Sequence, residues 1–440
     1  MPRVPAILRE DAPFRLLFTG QALSVVGDRI TPVAIAFAVL AIGSPTDLGI
    51  VMAAGGIPFG LFAIAGGVLS DRVGRRHVML ASDVVRAAGQ ALTAALLLSG
   101  RAEVWMLAVL SAVYGTAAAV FMPALIGLIP QTVAPGRLQA ANALLGVTRS
   151  VASIAGPAVA GLILAGAGPG EAIAVDAVTF AVSAACLLRL RPRPVAPADE
   201  RAEGFVVQLR AGWREVRSRA WLRVGLVAMA AYHVLVLPAV FVLGPALAVR
   251  ELDGADSWAT IVTCFGVGTV AGNVLALRMR LRRPVLVAAM GLVGACTQAA
   301  IIGSGMGTPG IAAGLLLAGV AVSLFFTLWD TSIQEQVPPH ALSRVSSYDF
   351  AVSLGLMPLG MALAGPLAGA LGLHQTLQAM SALGVLVALA WLVVPSVRQV
   401  RRAPGPPAGA TPPVGATQDA ALLDAAHPAP AIFDHEPDRV

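Results

Sequence analysis

The chain has 440 residues, of which 57% are hydrophobic and 12% charged, with a mean hydropathy of +0.80. That balance excludes a soluble globular protein, whose charged share is about 25%, and points to many membrane spans. Net charge is +6 and all 30 basic residues are arginine, so the chain lacks both the lysine of a nucleotide-hydrolysing P-loop and the amine of a Schiff-base enzyme.

A transmembrane helix needs about 20 apolar residues. Twelve runs meet that length: 14–40, 48–70, 78–99, 104–130, 138–166, 172–190, 221–249, 257–277, 284–304, 309–336, 343–371 and 375–395. The predicted fold class is therefore an all-α polytopic membrane protein. The first run is too long for the core of a cleavable signal and is read as the first anchor itself. Of the 30 arginines, 25 fall in or border the even-numbered loops and the two tails, whereas only Arg101 and Arg250 fall in odd-numbered loops. By the positive-inside rule both termini are predicted to be cytoplasmic. Trp105 and Trp258 at outer ends, with Trp221, Trp329 and Trp391 at inner ends, are expected to lie at the membrane interfaces.

Charged groups inside a bilayer cost several kcal/mol unless they face partners or water, so each invites an explanation. On the first span Gln21, Ser24, Asp28 and Thr31 share one face. On the fifth, Asn142, Arg149 and Ser153 do the same. Asp28 lies 13 residues past Arg15 and Arg149 lies 12 past Arg137, about 20 and 18 Å along their helices. At similar depth, Asp28 and Arg149 are expected to interact, with Asp28 as the proton-responsive group. The alternative is an Asp28 near the outer rim that pairs with its neighbour Arg29.

Between the second and third spans, Gly67, Asp71, Arg72, Gly74, Arg75 and Arg76 crowd a very short loop; an ordinary cytoplasmic turn is the plainer reading. Asp83, Arg86 and Gln90 form a stripe on the third span, with Asp83 and Arg86 read as a structural i,i+3 pair near the inner surface. Asp176, Thr179 and Ser183 form another on the sixth. Residues 191–220 make the longest internal loop, in which Val206, Leu209, Trp213 and Val216 recur at helical spacing among arginines. That pattern fits a basic amphipathic helix on the inner leaflet, a tether or a lipid-sensing element. His233 sits 12 residues past Trp221, either a titrating coupling group or a hydrogen-bonded packing residue. Ser323, Thr327, Asp330 and Gln334 stripe the tenth span, where Asp330 is either a gating group or merely solvated at the inner end. Ser346, Asp349 and Ser353 share a face of the eleventh. Cys186, Cys264 and Cys296 lie on separate spans, which indicates neither disulfides nor a metal site. The proline- and alanine-rich tail should be disordered.

The halves repeat. A shift of about 205 residues sets Gly67 on Gly272 and His233 opposite Asp28, and a shift of 209 sets Ala155-Gly156-Pro157 on Ala364-Gly365-Pro366. Asp71 meets Ala276, so the second half lacks the loop carboxylate. The expected organisation is a six-helix bundle over 1–190, a linker over 191–220, a second bundle over 221–395 and a tail over 396–440.

The Gly67–Arg76 loop resembles the signature between the second and third helices of the major facilitator superfamily of secondary transporters. Phe18-Thr19-Gly20-Gln21 with Gly27-Asp28, the Gly156-Pro157 pair with Gly161, and Leu342-Ser343-Arg344-Val345-Ser346 make the chain look most like the twelve-helix drug and siderophore exporters that include macrolide efflux proteins. The resemblance covers residues 10–395. It implies two pseudo-symmetric six-helix bundles and an Asp71 that latches the inner face against the eleventh helix near Ser343 and Arg344. It also implies a Gly156-Pro157-Gly161 antiporter element that bends the fifth helix and seals the interface. The fourth span carries no arginine, unlike exporters with a marked motif there, so Arg149 or Arg86 would have to take that role.

The resulting expectation is a monomeric, multi-pass protein of the inner (cytoplasmic) membrane. It is expected to exchange an amphipathic or hydrophobic small molecule for protons, with Gln21, Ser24, Asn142, Ser153, Ser323 and Thr327 facing the cargo. Its partners would be that small molecule, protons and the lipid bilayer, with no nucleic acid, metal or cofactor and no catalytic residue. An importer of a small polar metabolite and a non-transporting scaffold are the alternatives.

Overall fold

In lipid every backbone N–H and C=O needs an internal partner, so long apolar runs become helices. The computed structural model describes residues 6–134, 137–193, 213–279 and 281–400. The twelve predicted runs appear as α1 Ala12–Ile42, α2 Pro45–Val73, α3 Arg75–Leu98, α4 Val104–Leu128, α5 Leu138–Gly166 and α6 Pro169–Arg189, followed by α7 Ala220–Glu251, α8 Ala255–Arg278, α9 Pro284–Ile302, α10 Thr308–Gln336, α11 Pro339–Leu371 and α12 Leu373–Val393. Their ends follow from local chemistry. Ser44 and Asp47 form a capping box at the start of α2, and Gly74 alone separates α2 from α3 at φ 96°, a left-handed conformation that glycine adopts without penalty.

Among the described residues, ten of these helices contain a stretch long and apolar enough to cross a membrane. The third falls short because Arg75, Arg76, His77, Asp83, Arg86 and Gln90 dilute it, yet Asp83, Arg86 and Gln90 are buried. Packing against neighbours, not lipid, keeps α3 in place. Within α7 the helix widens to π geometry over Tyr232–Val236 and again over Ala239–Leu243. Pro238 and Pro245 each follow four residues after a carbonyl in those stretches, and a proline supplies no N–H and crowds that carbonyl.

The apolar core has three parts. One cluster joins both halves at the distal end, away from the start of α1, through residues such as Ile35, Leu48, Leu243, Trp258 and Met361. Toward the proximal end the second half has its own cluster around Leu222, Phe325, Trp329 and Trp391, and the first half another around Phe14, Met79, Phe121 and Leu187. Among the described residues, the core cluster shared by both halves lies at the distal end. Close backbone approaches mark the joint: a Cβ on Gly365 of α11 would strike the backbone of Pro45 and Thr46, and one on Gly266 of α8 would lie 2.6 Å from the carbonyl of Ser153 on α5.

The interfacial reading of four tryptophans is corrected by burial. Trp221, Trp258, Trp329 and Trp391 are all inside. Trp391 stands edge-on to Trp329 and donates its Nε1 hydrogen to the Trp221 carbonyl at 3.0 Å, while Trp329 donates to Asp349 at 2.9 Å. Indoles pack where their N–H finds an internal acceptor. Trp105, at the start of α4, is exposed.

Candidate functional site

The polar stripes of α1, α3 and α6 converge in the middle of the first half. Asp28, halfway along α1, accepts a hydrogen bond from the Tyr114 hydroxyl of α4 at 2.5 Å and lies 3.8 Å from the Arg86 guanidinium of α3. Arg86 in turn donates to Asp83 at 2.5 Å and is stacked between the rings of Phe121 and Phe180, whose centroids lie 4.3 and 4.2 Å away. On the other side of α1, Thr31 and Gln90 donate to the Asp176 carboxylate of α6 at 2.6 and 2.7 Å. Gly27 lets α6 come close, since any Cβ there would strike Asp176 and Thr179.

Asp28 therefore does not pair with Arg149. That arginine is exposed on α5, whereas α3 delivers Arg86 directly to α1. Nor does Asp28 pair with Arg29, whose side chain borders a different cavity. The Asp83–Arg86 pair forms as expected, but at the depth of Asp28 and buried, not near a surface: Asp83 is 0% and Arg86 4% exposed. Of Arg149 and Arg86, only Arg86 reaches Asp28.

Two adjoining cavities lie beside this cluster. The first, of about 360 Å³, is bounded by α1, α2, α3, α4, α7 and α11. Its wall is apolar, with Met52, Phe59, Phe241 and Met357, except along one edge where Thr31, Gln90, Thr93, Ser111 and Tyr114 face it. The second, of about 430 Å³, lies between the halves and carries Arg29, Ser153 and Thr269 among Pro157, Trp258, Phe265 and Phe326. Pro32 and Phe241 belong to both walls. Cavities of this size and lining suit small apolar or amphipathic molecules.

The cargo-facing expectations divide. Ser153 lines the second cavity. Gln21 and Ser24 are buried within the first half and border neither cavity, so the face they share with Asp28 is a packing face. Asn142 is exposed. Ser323 and Thr327 both donate to Asn273 of α8, at 2.6 and 3.0 Å, a separate polar knot inside the second half. His233 is buried in the π-helical turn of α7, its Nδ1 2.9 Å from the Met229 carbonyl and its ring against Tyr232 and Phe326. That environment is the one a packing histidine has. Asp330 is exposed.

In the loop between α2 and α3, Arg75 donates to the Gly127 carbonyl at 2.6 Å and Arg76 to the carbonyls of Leu187 and Leu188 at 2.7 Å each. Both thereby donate to carbonyls in the last turns of α4 and α6, where intrahelical donors run out. Arg72 is exposed. The side chains of Gly67, Asp71, Ser343 and Arg344 lie outside the described residues, as do Val206, Leu209 and the tail beyond 400. Arg76→Ala is expected to destabilise the first half by about 1.5–3 kcal/mol, the range for hydrogen bonds to a charged donor, read as a lower melting temperature in detergent. Gly156 abuts Arg29 of α1 and Gly161 abuts Ala259 of α8, so the glycines of that element do bring α5 close to two neighbours.

Tyr114, Asn273 and the convergence on Asp176 went unread in the sequence. The stripes themselves are visible at helical spacing; which stripe meets which depends on helix order in space.

A family model described as Major Facilitator Superfamily matches residues 17–348. The multidrug efflux pump Tap of Mycolicibacterium fortuitum is 28% identical over 411 residues, covering 90% of this chain and 98% of that protein. Macrolide efflux protein A of Streptococcus pyogenes is 22% identical over 409 residues, covering 88% and 96%. Among solved structures, a point mutant of the nucleoside transporter NupG shares the fold, with a TM-score of 0.71 at 11% identity over 86% of this chain and 98% of that one.

Proposed function

Because this chain belongs to the Major Facilitator Superfamily, a family of membrane transporters, we propose that it is a secondary exporter that moves an amphipathic or hydrophobic small molecule outward in exchange for protons. Two bundles, residues 1–190 and 221–395, rock about the central cavities, joined by the 191–220 linker. The arginine distribution puts the proximal end, where α1 begins, in the cytoplasm. Read that way, the distal seam is the closed outer gate and the two separate proximal clusters belong to lobes parted toward the cytoplasm. Efflux activity named in two relatives supports the direction.

The observation that carries the reading is the apolar first cavity, whose single polar edge includes Tyr114, the residue that holds Asp28. A cargo lying there and a proton on Asp28 compete for the same few ångströms. An apolar wall with one polar edge gives adaptable recognition, because dispersion contacts with methionine and phenylalanine set few directional demands.

The test is reconstitution. Purified protein in liposomes should move ethidium or Hoechst 33342 against its gradient when a pH difference is imposed with the cargo side basic. Asp28→Asn is expected to slow that uphill movement by about 100-fold or more in initial rate, while dye still equilibrates downhill. An uphill rate in Asp28→Asn equal to that of wild type would remove the proton role assigned to this residue.

A further inference from the structure

Counting charge around Arg86 leads beyond a single proton. Three carboxyl groups, Asp28, Asp83 and Asp176, surround this one guanidinium in the interior of the first half, with side-chain exposures of 34% for Asp28, 0% for Asp83 and 4% for Arg86, and Asp176 0% exposed as a residue. One guanidinium balances one carboxylate. Asp83 has first claim on it at 2.5 Å, against 3.8 Å for Asp28. Asp176 has no cation within ion-pair distance among the described residues: Thr31 and Gln90, both neutral, hold one oxygen, and the Thr179 hydroxyl stands 3.3 Å from the other. Tyr114 of α4 also faces the cluster, whereas Arg29 and Arg149 are exposed and form no ion pair with any of the three acids. Uncompensated carboxylates in such surroundings are neutralised by protons or by a cation. Among the described residues no group of ligands suited to a metal ion exists.

We propose that Asp176 is a second proton-exchanging carboxyl, so that the first half takes up two protons, one on Asp28 and one on Asp176, for each cargo molecule released. The inference rests on the proton-exchange reading above and extends it. Both acids stand behind the same cavity edge, Asp28 behind Tyr114 and Asp176 behind Thr31 and Gln90, so one cargo can sense both. A hydroxyl such as that of Thr31 donates to an ionised carboxylate and accepts from a protonated one, which lets Asp176 gain or lose its proton without repacking. The cluster also has slack for a change of partners. Arg86 Nε and Asp83 Oδ2 are both buried and unpaired, so when Asp28 becomes neutral the guanidinium can settle wholly on Asp83. The balance is simple: two carboxylates and two protons become two carboxylic acids, and both protons leave on the other side when cargo rebinds.

With the membrane potential clamped at zero, each exchanged proton multiplies the steady cargo gradient about tenfold per unit of pH difference. Proteoliposomes carrying the wild-type chain should therefore hold an ethidium gradient of about 100-fold, and Asp176→Asn one of about tenfold. A wild-type value near tenfold, or an Asp176→Asn value still near 100-fold, overturns the second proton. If wild type holds tenfold while Asp28→Asn holds none, single-proton exchange stands and only the present inference fails; if wild type ignores the pH difference, both fall. A measurement without cargo guards against a misfolded variant. Between about pH 5 and 9, wild-type protein in nanodiscs should bind one more proton than Asp176→Asn, with the infrared carbonyl stretch of a protonated carboxyl weakened in the variant. Equal proton counts would place Asp176 outside the exchange.

Discussion

Arg86→Met is expected to be the most damaging single substitution in the first half, lowering its stability by about 3–5 kcal/mol, the cost of removing one partner from a buried ion pair. The abandoned partner is Asp83, with 0% exposure, and the loss of the guanidinium between Phe121 and Phe180 removes a further cation–π contribution of roughly 0.5–2 kcal/mol. Detergent-solubilised Arg86→Met should melt far below wild type or aggregate. The double variant Asp83→Leu with Arg86→Met should recover much of the melting temperature, because replacing both members of a buried pair by apolar groups is often close to neutral. Uphill dye transport should nevertheless stay lost, since Asp28 would have no counter-charge. Arg86→Lys is expected to fall between: it keeps the charge but loses the planar fork that reaches two carboxylates and stacks between two rings. A melting temperature for Arg86→Met equal to that of wild type would mean that the guanidinium does not hold the cluster together.

Hydropathy and arginine spacing carry the architecture because bilayer thickness and backbone satisfaction leave one solution for each apolar run. The run 138–166 and the helix Leu138–Gly166 coincide, and the other bounds differ by a few residues where prolines or caps extend a helix. The site was less legible. Helical spacing finds the stripe Asp83, Arg86, Gln90, but Asp28 meets Arg86 and not Arg149 because α5, although it packs on α1, carries Arg149 on an exposed face, while α3 turns Arg86 inward, a matter of helix rotation in the packed bundle with no local trace. Tyr114 carries no signal at all in an otherwise apolar run. The tryptophans misled for a related reason: their sequence position at helix ends fits an interfacial belt equally well, and only the neighbours, such as the Trp221 carbonyl waiting for Trp391, decide for burial.

The repeat reaches further into mechanism than the stripes do. Its Gly-Pro elements, Gly156-Pro157 and Gly365-Pro366, both fall where a helix of one bundle meets a close neighbour: Gly156 against Arg29 of α1, Gly365 against Pro45 and Thr46 of α2. The second of these joins the two halves at the distal seam. In lipid no hydrophobic effect drives helices together, so seams depend on backbones that can approach closely, and a side chain added there acts on one conformation more than on the other.

Gly365→Val is accordingly expected to tilt the molecule out of the state seen here. The atoms that a new Cβ would meet are backbone atoms of Pro45 and Thr46, which cannot rotate aside as a side chain would. Overpacking of this kind costs about 1–3 kcal/mol, paid only while α2 and α11 are closed at the distal end, so the closed-to-open ratio should fall by about 5- to 150-fold. With Cys186, Cys264 and Cys296 replaced, a Ser111→Cys reporter on the first cavity should react with a membrane-impermeant maleimide from the distal side at least about tenfold faster in Gly365→Val than in the parent. Gly369→Val, one turn further along the same helix and with nothing within 4 Å of its Cβ position, should leave the rate unchanged. Equal acceleration by both substitutions would mean general loosening of α11, and no acceleration by Gly365→Val would mean that the α2–α11 seam is not what keeps the distal side shut.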